Sequence, residues 1–200
     1  YIKAGVYTPN YGIRLDDHTA YTRQGLIFNQ FYREAGVEVG FFADDWLYAS
    51  ASAGSNITDV VSNYTKDPTY TARVEVTPRF GEVGLLFGGS YASAKLENTQ
   101  EALNTNMYGG FFGFGYVDFS LLAEYDIAND LSSSDVKSSM LMVEAAYVIL
   151  TGLEAIVRYD RIDYNADVDA DETSRFVFGF EFHPYAILQH DLKKKDTKRH

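Results

Sequence analysis

Between residues 174 and 182 the chain reads Ser-Arg-Phe-Val-Phe-Gly-Phe-Glu-Phe. Side chains on a β-strand point alternately to its two faces. Phe176, Phe178, Phe180 and Phe182 therefore share one face, while Arg175, Gly179 and Glu181 share the other. A water-soluble sandwich would hide such an aromatic face against a second sheet. Here the alternation recurs in segment after segment, through connections that are short and long in turn. That repetition is the pattern of an antiparallel barrel with hydrocarbon outside and water inside.

Taken along the chain, the alternation predicts strands over 1–9, 36–43, 46–54, 69–79, 84–97, 108–116, 119–127, 141–149, 153–160 and 176–182. A further strand is expected to begin after 186. Short turns are predicted at 44–45, 81–82, near Asp118, at 151–152 and at 183–186. Longer connections fall at 10–35, 55–68, 98–106, 132–137 and 165–173. Each strand is near the ~9–11 residues that cross a bilayer at a tilt, and short turns at one end with long loops at the other are usual for bacterial outer-membrane barrels. The alternative weighed against this is a soluble all-β sandwich or lipocalin-like barrel, whose solvent face would carry far more Lys.

Composition agrees with strands at a membrane surface. The 200 residues include 16 Tyr and 14 Phe against one Trp, with 16 Gly and 4 Pro. No apolar run reaches the ~18 residues of a spanning helix, and the mean hydropathy is −0.21. A net charge of −11 leaves no basic stripe to replace phosphate counterions, which disfavours nucleic acid. Without Cys there is no disulfide, Cys-ligated zinc or iron–sulfur centre, and no cofactor is expected. The outward aromatics Trp46, Tyr91, Tyr108, Tyr116, Tyr147 and Tyr159 are expected to sit at the interfaces.

The wet face is predicted to carry Lys3, Glu38, Arg73, Glu75, Glu124, Asp126, Glu144, Glu154, Arg158, Asp160, Arg175 and Glu181. The segment 11–34 is too long for a casual hairpin. Its Arg14, Asp16, Asp17, His18 and Arg23 place both signs of charge where a constriction would need them; the plain alternative is a solvated surface loop.

Other constellations carry less. Asp163, Asp167, Asp169 and Asp171, with Asn165 and Glu172, space oxygen ligands two residues apart, as Ca²⁺ would use them. Yet Val168 stands where a calcium loop needs Gly, and Ser174 where it needs Glu, so a solvated acidic loop is the simpler reading. No Ser–His spacing suggests a nucleophile and base, and Gly109-Gly110-x-x-Gly113-x-Gly115 precedes no helix, so the chain is not read as an enzyme. Asn56-Ile57-Thr58 and Asn63-Tyr64-Thr65 match a glycosylation pattern that means little in a bacterial barrel, and the basic 193–200 tail could meet lipopolysaccharide or be a polar loop.

Three stretches resemble a known family. Lys3-Ala4-Gly5-Val6-Tyr7-Thr8-Pro9-Asn10-Tyr11-Gly12 is similar to a strand end of the phosphate-selective porin O/P group. Tyr21-Thr22-Arg23-Gln24-Gly25-Leu26, with Arg33-Glu34-Ala35-Gly36-Val37-Glu38-Val39-Gly40, resembles that group's aromatic-x-x-Arg segment and following strand. Gly152-Leu153-Glu154-Ala155-Ile156-Val157-Arg158-Tyr159-Asp160 resembles a late strand and loop. The resemblance implies an outer-membrane barrel of about sixteen strands, usually a homotrimer, passing small anions passively. The inward set departs from an anion path. Lys3, Arg73, Arg158 and Arg175 face eight carboxylates: Glu38, Glu75, Glu124, Asp126, Glu144, Glu154, Asp160 and Glu181. A general or weakly cation-preferring pore fits this charge better.

The expectation is therefore one all-β, antiparallel transmembrane β-barrel domain over 1–200, about ten strands of a longer chain incomplete at both ends. It would act as an outer-membrane porin in contact with lipids and lipopolysaccharide. The second expectation is a non-conducting barrel that serves as a scaffold for partner envelope proteins.

Overall fold

The computed structural model describes residues 1–13, 19–28, 32–57, 67–97 and 102–183. The strands are β1 (Ile2–Tyr7), β2 (Glu34–Ala43), β3 (Leu47–Asn56), β4 (Pro68–Val76), β5 (Arg79–Phe80), β6 (Val83–Glu97), β7 (Ala102–Tyr116), β8 (Phe119–Asn129), β9 (Lys137–Leu150), β10 (Leu153–Asp163) and β11 (Thr173–Phe182). A single turn of helix, α1 (Tyr21–Gln24), lies between β1 and β2. The strands form one antiparallel sheet in the order β1-β2-β3-β4-β6-β7-β8-β9-β10-β11, with the two-residue β5 on β6. No pairing joins β1 to β11, so the sheet is open among the described residues.

The sheet is nevertheless strongly curled. The side chain of Asn10 donates to Glu38 on β2 at 3.2 Å, while the next residue, Tyr11, donates to Asp126 on β8 at 3.0 Å. Five strand spacings separate β2 from β8, roughly 24 Å across a flat sheet. Two adjacent residues cannot bridge that distance unless the sheet bends around them. The concave face is the one carrying Glu38, Arg73, Glu124, Asp126, Arg158 and Asp160, all buried.

The convex face is apolar and uncovered. Phe176, Phe178, Phe180 and Phe182 are 61–75% exposed, and Val39, Phe41, Tyr70, Val74, Tyr108, Tyr125 and Val157 are exposed with them. No second sheet covers these rows among the described residues, as a soluble sandwich would require. The outward rows are ordered by cross-strand ring pairs, such as Phe87–Phe112 and Tyr91–Tyr108, each 5.3 Å between centroids.

Boundaries differ from the sequence reading at several points. β1 ends at Tyr7, short of Pro9, and the predicted strand 69–79 stops at Val76, with Arg79–Phe80 as the separate β5. Glu34–Ala35, Ser55–Asn56, Pro68, Lys137 and Thr173, read as connections, are strand. Asn104, Thr105 and Asn106, read as loop for their polarity, continue β7, because Leu103, Thr105 and Met107 all face the buried interior. With β6 and β7 both fifteen residues long, the predicted long loop at 98–106 shrinks to the few residues between them. Trp46 closes the turn before β3 and is not in the strand. The 183–186 turn beyond His183, any later strand, the basic tail, Thr58 and the second glycosylation pattern lie outside the described residues.

The short turns use left-handed backbone, at Gly81 (φ 63°) and Gly152 (φ 88°) where glycine suits it. The β7–β8 turn instead places Val117 at φ 51°, which costs an L residue about 1–2 kcal/mol. Val117 is largely exposed, so little packing is at stake in its substitution. Val117→Asn is expected to raise the denaturant midpoint, by about 1 kcal/mol in stability, since Asn tolerates this conformation in two-residue hairpins. Urea unfolding of the two proteins side by side checks it.

Candidate functional site: the inward-folded segment and the concave face

The chain between β1 and β2 enters the concavity and is fastened there by the charged residues of the wall. Gly12 donates its backbone N–H to Ser90 Oγ at 2.8 Å, and its carbonyl accepts from Arg73 Nε at 2.8 Å. Ile13 N–H donates to Glu124 Oε1 at 3.1 Å. Arg23, from α1, donates to the Ile13 carbonyl and pairs with Glu124 at 3.3 Å. Farther along, Thr19 Oγ1 accepts from Arg158 Nη2 at 3.0 Å, and its carbonyl accepts from Arg175. Gly12 is held at φ 59°, and a Cβ there would overlap the Glu124 carboxylate and the Arg23 guanidinium. Glycine is the residue that lets the backbone approach this closely.

The predicted wall residues all lie on the concave side, but most of their charge is already matched. Arg158 bonds Asp160 at 3.1 Å and Glu144 at 3.5 Å, and Arg175 bonds Asp160 at 2.8 Å. Lys3 pairs with Glu38 at 2.9 Å, and Arg73 pairs with Glu75. Glu181 pairs with His183 at the exposed short-turn end, and Glu154 is half-buried nearby on β10. Each arginine of the wall therefore meets a carboxylate, and Arg73 and Arg175 also hold a segment carbonyl. A bare cationic track for anions does not result. Of the constriction candidates, Arg23 is part of this lock; Arg14, Asp16, Asp17 and His18 lie outside the described residues.

At the long-loop end the interior is apolar. Tyr11, Leu26, Ile27, Phe28 and Tyr32 from the inward segment pack with Leu96, Leu103, Met107, Met140 and Ile162 from the wall. Phe28 stacks on Tyr11 at 5.0 Å and meets Tyr32 edge-on at 5.4 Å. Burial, then the adjacent Asp126 carboxylate, pushes the Tyr11 phenol well above its ordinary value, so it remains a proton donor. The sequence did hold a signal for this cluster. All three methionines, 107, 140 and 142, sit at wet-face parity, as do Leu96, Leu103, Phe111 and Ile162. Apolar residues on the face reserved for water announce that something covers them.

At the short-turn end the concavity opens into a cavity of about 680 Å³, walled by Lys3, Glu38, Phe42, Tyr48, Arg73 and Glu75 among others. A second cavity of about 600 Å³ shares Phe42, Tyr48 and Glu75 with it and reaches Trp46.

The acidic loop does not gather into a metal site. Among the described residues no three carboxylate or imidazole groups come together as ligands. Asp163 instead lies 3.7 Å from Arg161, and Asn165 Oδ1 accepts from the Asp167 backbone N–H, a local turn bond. Comparison of the chain with protein-family models, with curated proteins and with solved structures found no match.

Proposed function

We propose that this chain forms the wall of a bacterial outer-membrane β-barrel of the porin type, through which small hydrophilic solutes diffuse past an inward-folded constriction. One observation carries the reading: a single curved antiparallel sheet presents uncovered aromatic and aliphatic rows on its convex face and charged, hydrogen-bonded side chains on its concave face. Hydrocarbon is the solvent in which such a convex face is stable, and closing the sheet would satisfy its two free edges there. The porin resemblance of the β1, β2 and β10 stretches points the same way. Passage would be governed by size and by the mixed charge of the wall, with no strong anion preference, because its arginines are neutralised where they stand. Lipids and lipopolysaccharide would surround the barrel, and a homotrimer is its expected assembly.

A second reading, a non-conducting barrel serving as scaffold for partner envelope proteins, is favoured by the apolar cluster that fills the long-loop end. Planar-bilayer recording separates the two. Steady channels with little anion-over-cation preference are expected; a silent barrel that inserts stably would instead establish the scaffold.

A further inference from the structure

The cavity at the short-turn end has a lining that neither an anion nor a cation would select. Two cations, Lys3 and Arg73, stand with two carboxylates, Glu38 and Glu75; Lys3 pairs with Glu38 across β1 and β2, and Arg73 pairs with Glu75 along β4. Beside them stand the rings of Tyr1, Phe42 and Tyr48, in contact at 5.7 Å and 4.8 Å between centroids. The Arg73 guanidinium is held over Phe111 at 4.9 Å and by the Gly12 carbonyl, so the polar groups are fixed in place before any ligand arrives. Its volume falls within the roughly 300–1,000 Å³ of small-molecule sites, and fixed polar groups beside aromatic walls are their usual make-up.

We propose that this cavity binds a small neutral sugar, a mono- or disaccharide; the proposal rests on the transport reading above and names a solute for it. A pyranose ring has an apolar C–H face that lies against aromatic rings. Its rim of hydroxyls can each donate to a carboxylate and accept from an ammonium or guanidinium. Phe42 and Tyr48 supply the first surface. Glu75, whose side chain is 23% exposed, supplies an acceptor, and Lys3, 37% exposed, supplies N–H groups beyond the one on Glu38. A free phosphate would meet Glu38 and Glu75, and an ammonium would meet Lys3 and Arg73; an uncharged polyol meets neither repulsion. The adjoining cavity at Trp46 gives length for a second ring.

Trp46 is the single tryptophan of these 200 residues and lines the adjoining cavity, so its emission reports on ligand that extends there, while calorimetry reports on binding at the site itself. The test is a maltose titration of the full chain, refolded in a detergent without a sugar headgroup, followed by Trp46 fluorescence and by calorimetry. Saturable binding is expected, with no competition from inorganic phosphate. Phe42→Ala and Glu75→Gln should each weaken it about five- to tenfold, as truncation of a ligand-contacting group does. Phe42 is largely exposed, so its loss leaves the sheet intact. Absence of saturable binding, displacement of maltose by phosphate, or unchanged affinity in both variants overturns the proposal. Bilayer recordings with maltose keep the two readings apart. A conducting channel indifferent to maltose removes this site and leaves transport, whereas maltose binding by a silent barrel removes transport and leaves the site.

Discussion

Replacing Glu124 by Ala is expected to loosen the inward segment and to widen the passage through the concavity. Glu124 is 1% exposed, pairs with Arg23 and accepts the Ile13 backbone N–H. Its removal leaves a buried guanidinium without its counter-charge and a buried amide without an acceptor. Losing one partner of a buried pair typically costs about 3–5 kcal/mol, because the remaining charge stays out of water. The segment can escape that cost by leaving the wall, which carries Gly12 and its neighbours away from Ser90 and Arg73. Single-channel conductance should rise several-fold, and the denaturant midpoint should fall. Glu124→Gln keeps an acceptor for Ile13 and should do less of both. Equal conductance in wild type and Glu124→Ala would mean that the segment does not narrow the path.

Phe28→Ala is expected to be the most damaging apolar truncation in the interior, about 3–5 kcal/mol as for other buried aromatic side chains. Phe28 is 5% exposed and joins Tyr11 to Tyr32 through two ring contacts. The same change at Phe178, which is 73% exposed on the convex face, should cost much less. On the proposed lipid-facing side acyl chains would replace the truncated side chain; in the interior nothing fills the hole. Urea unfolding in one lipid composition compares the two. Equal costs would show that the long-loop end is not packed as described.

The strand plan was legible because period-two alternation is a local property, and the predicted wall residues sit on the concave face as their parity required. Arg73 and Glu75 against Val74, or Glu124 and Asp126 against Tyr125, could be assigned from neighbours alone. Charge pairing was not legible in that way. Arg158 and Asp160 lie two apart on one strand and bond each other, but Arg158 also reaches Thr19, 139 residues away. The inward segment was visible as a long polar connection with mixed charge, and its apolar contacts only indirectly, through the methionines at wet-face parity. Its function as filler depends on contacts such as Tyr11 to Asp126, separated by 115 residues, which no local pattern encodes. The boundary error at Asn104–Asn106 has the same root, since loop-forming residue types were outvoted by the alternation of Leu103, Thr105 and Met107. Closure of the sheet is a matter of edge pairing between β1 and β11, or with other strands, and residue parity is silent on it.

The central claim is that hydrocarbon bathes the convex face while water reaches the concave one. The chain has no native Cys, so single cysteines introduced one at a time from 175 to 182 can each carry a nitroxide in reconstituted bilayers. Collision with lipid-soluble oxygen should peak at 176, 178, 180 and 182. Collision with a water-soluble nickel chelate should peak at 175, 177, 179 and 181. High chelate accessibility along the phenylalanine row, or no alternation at all, would contradict the account.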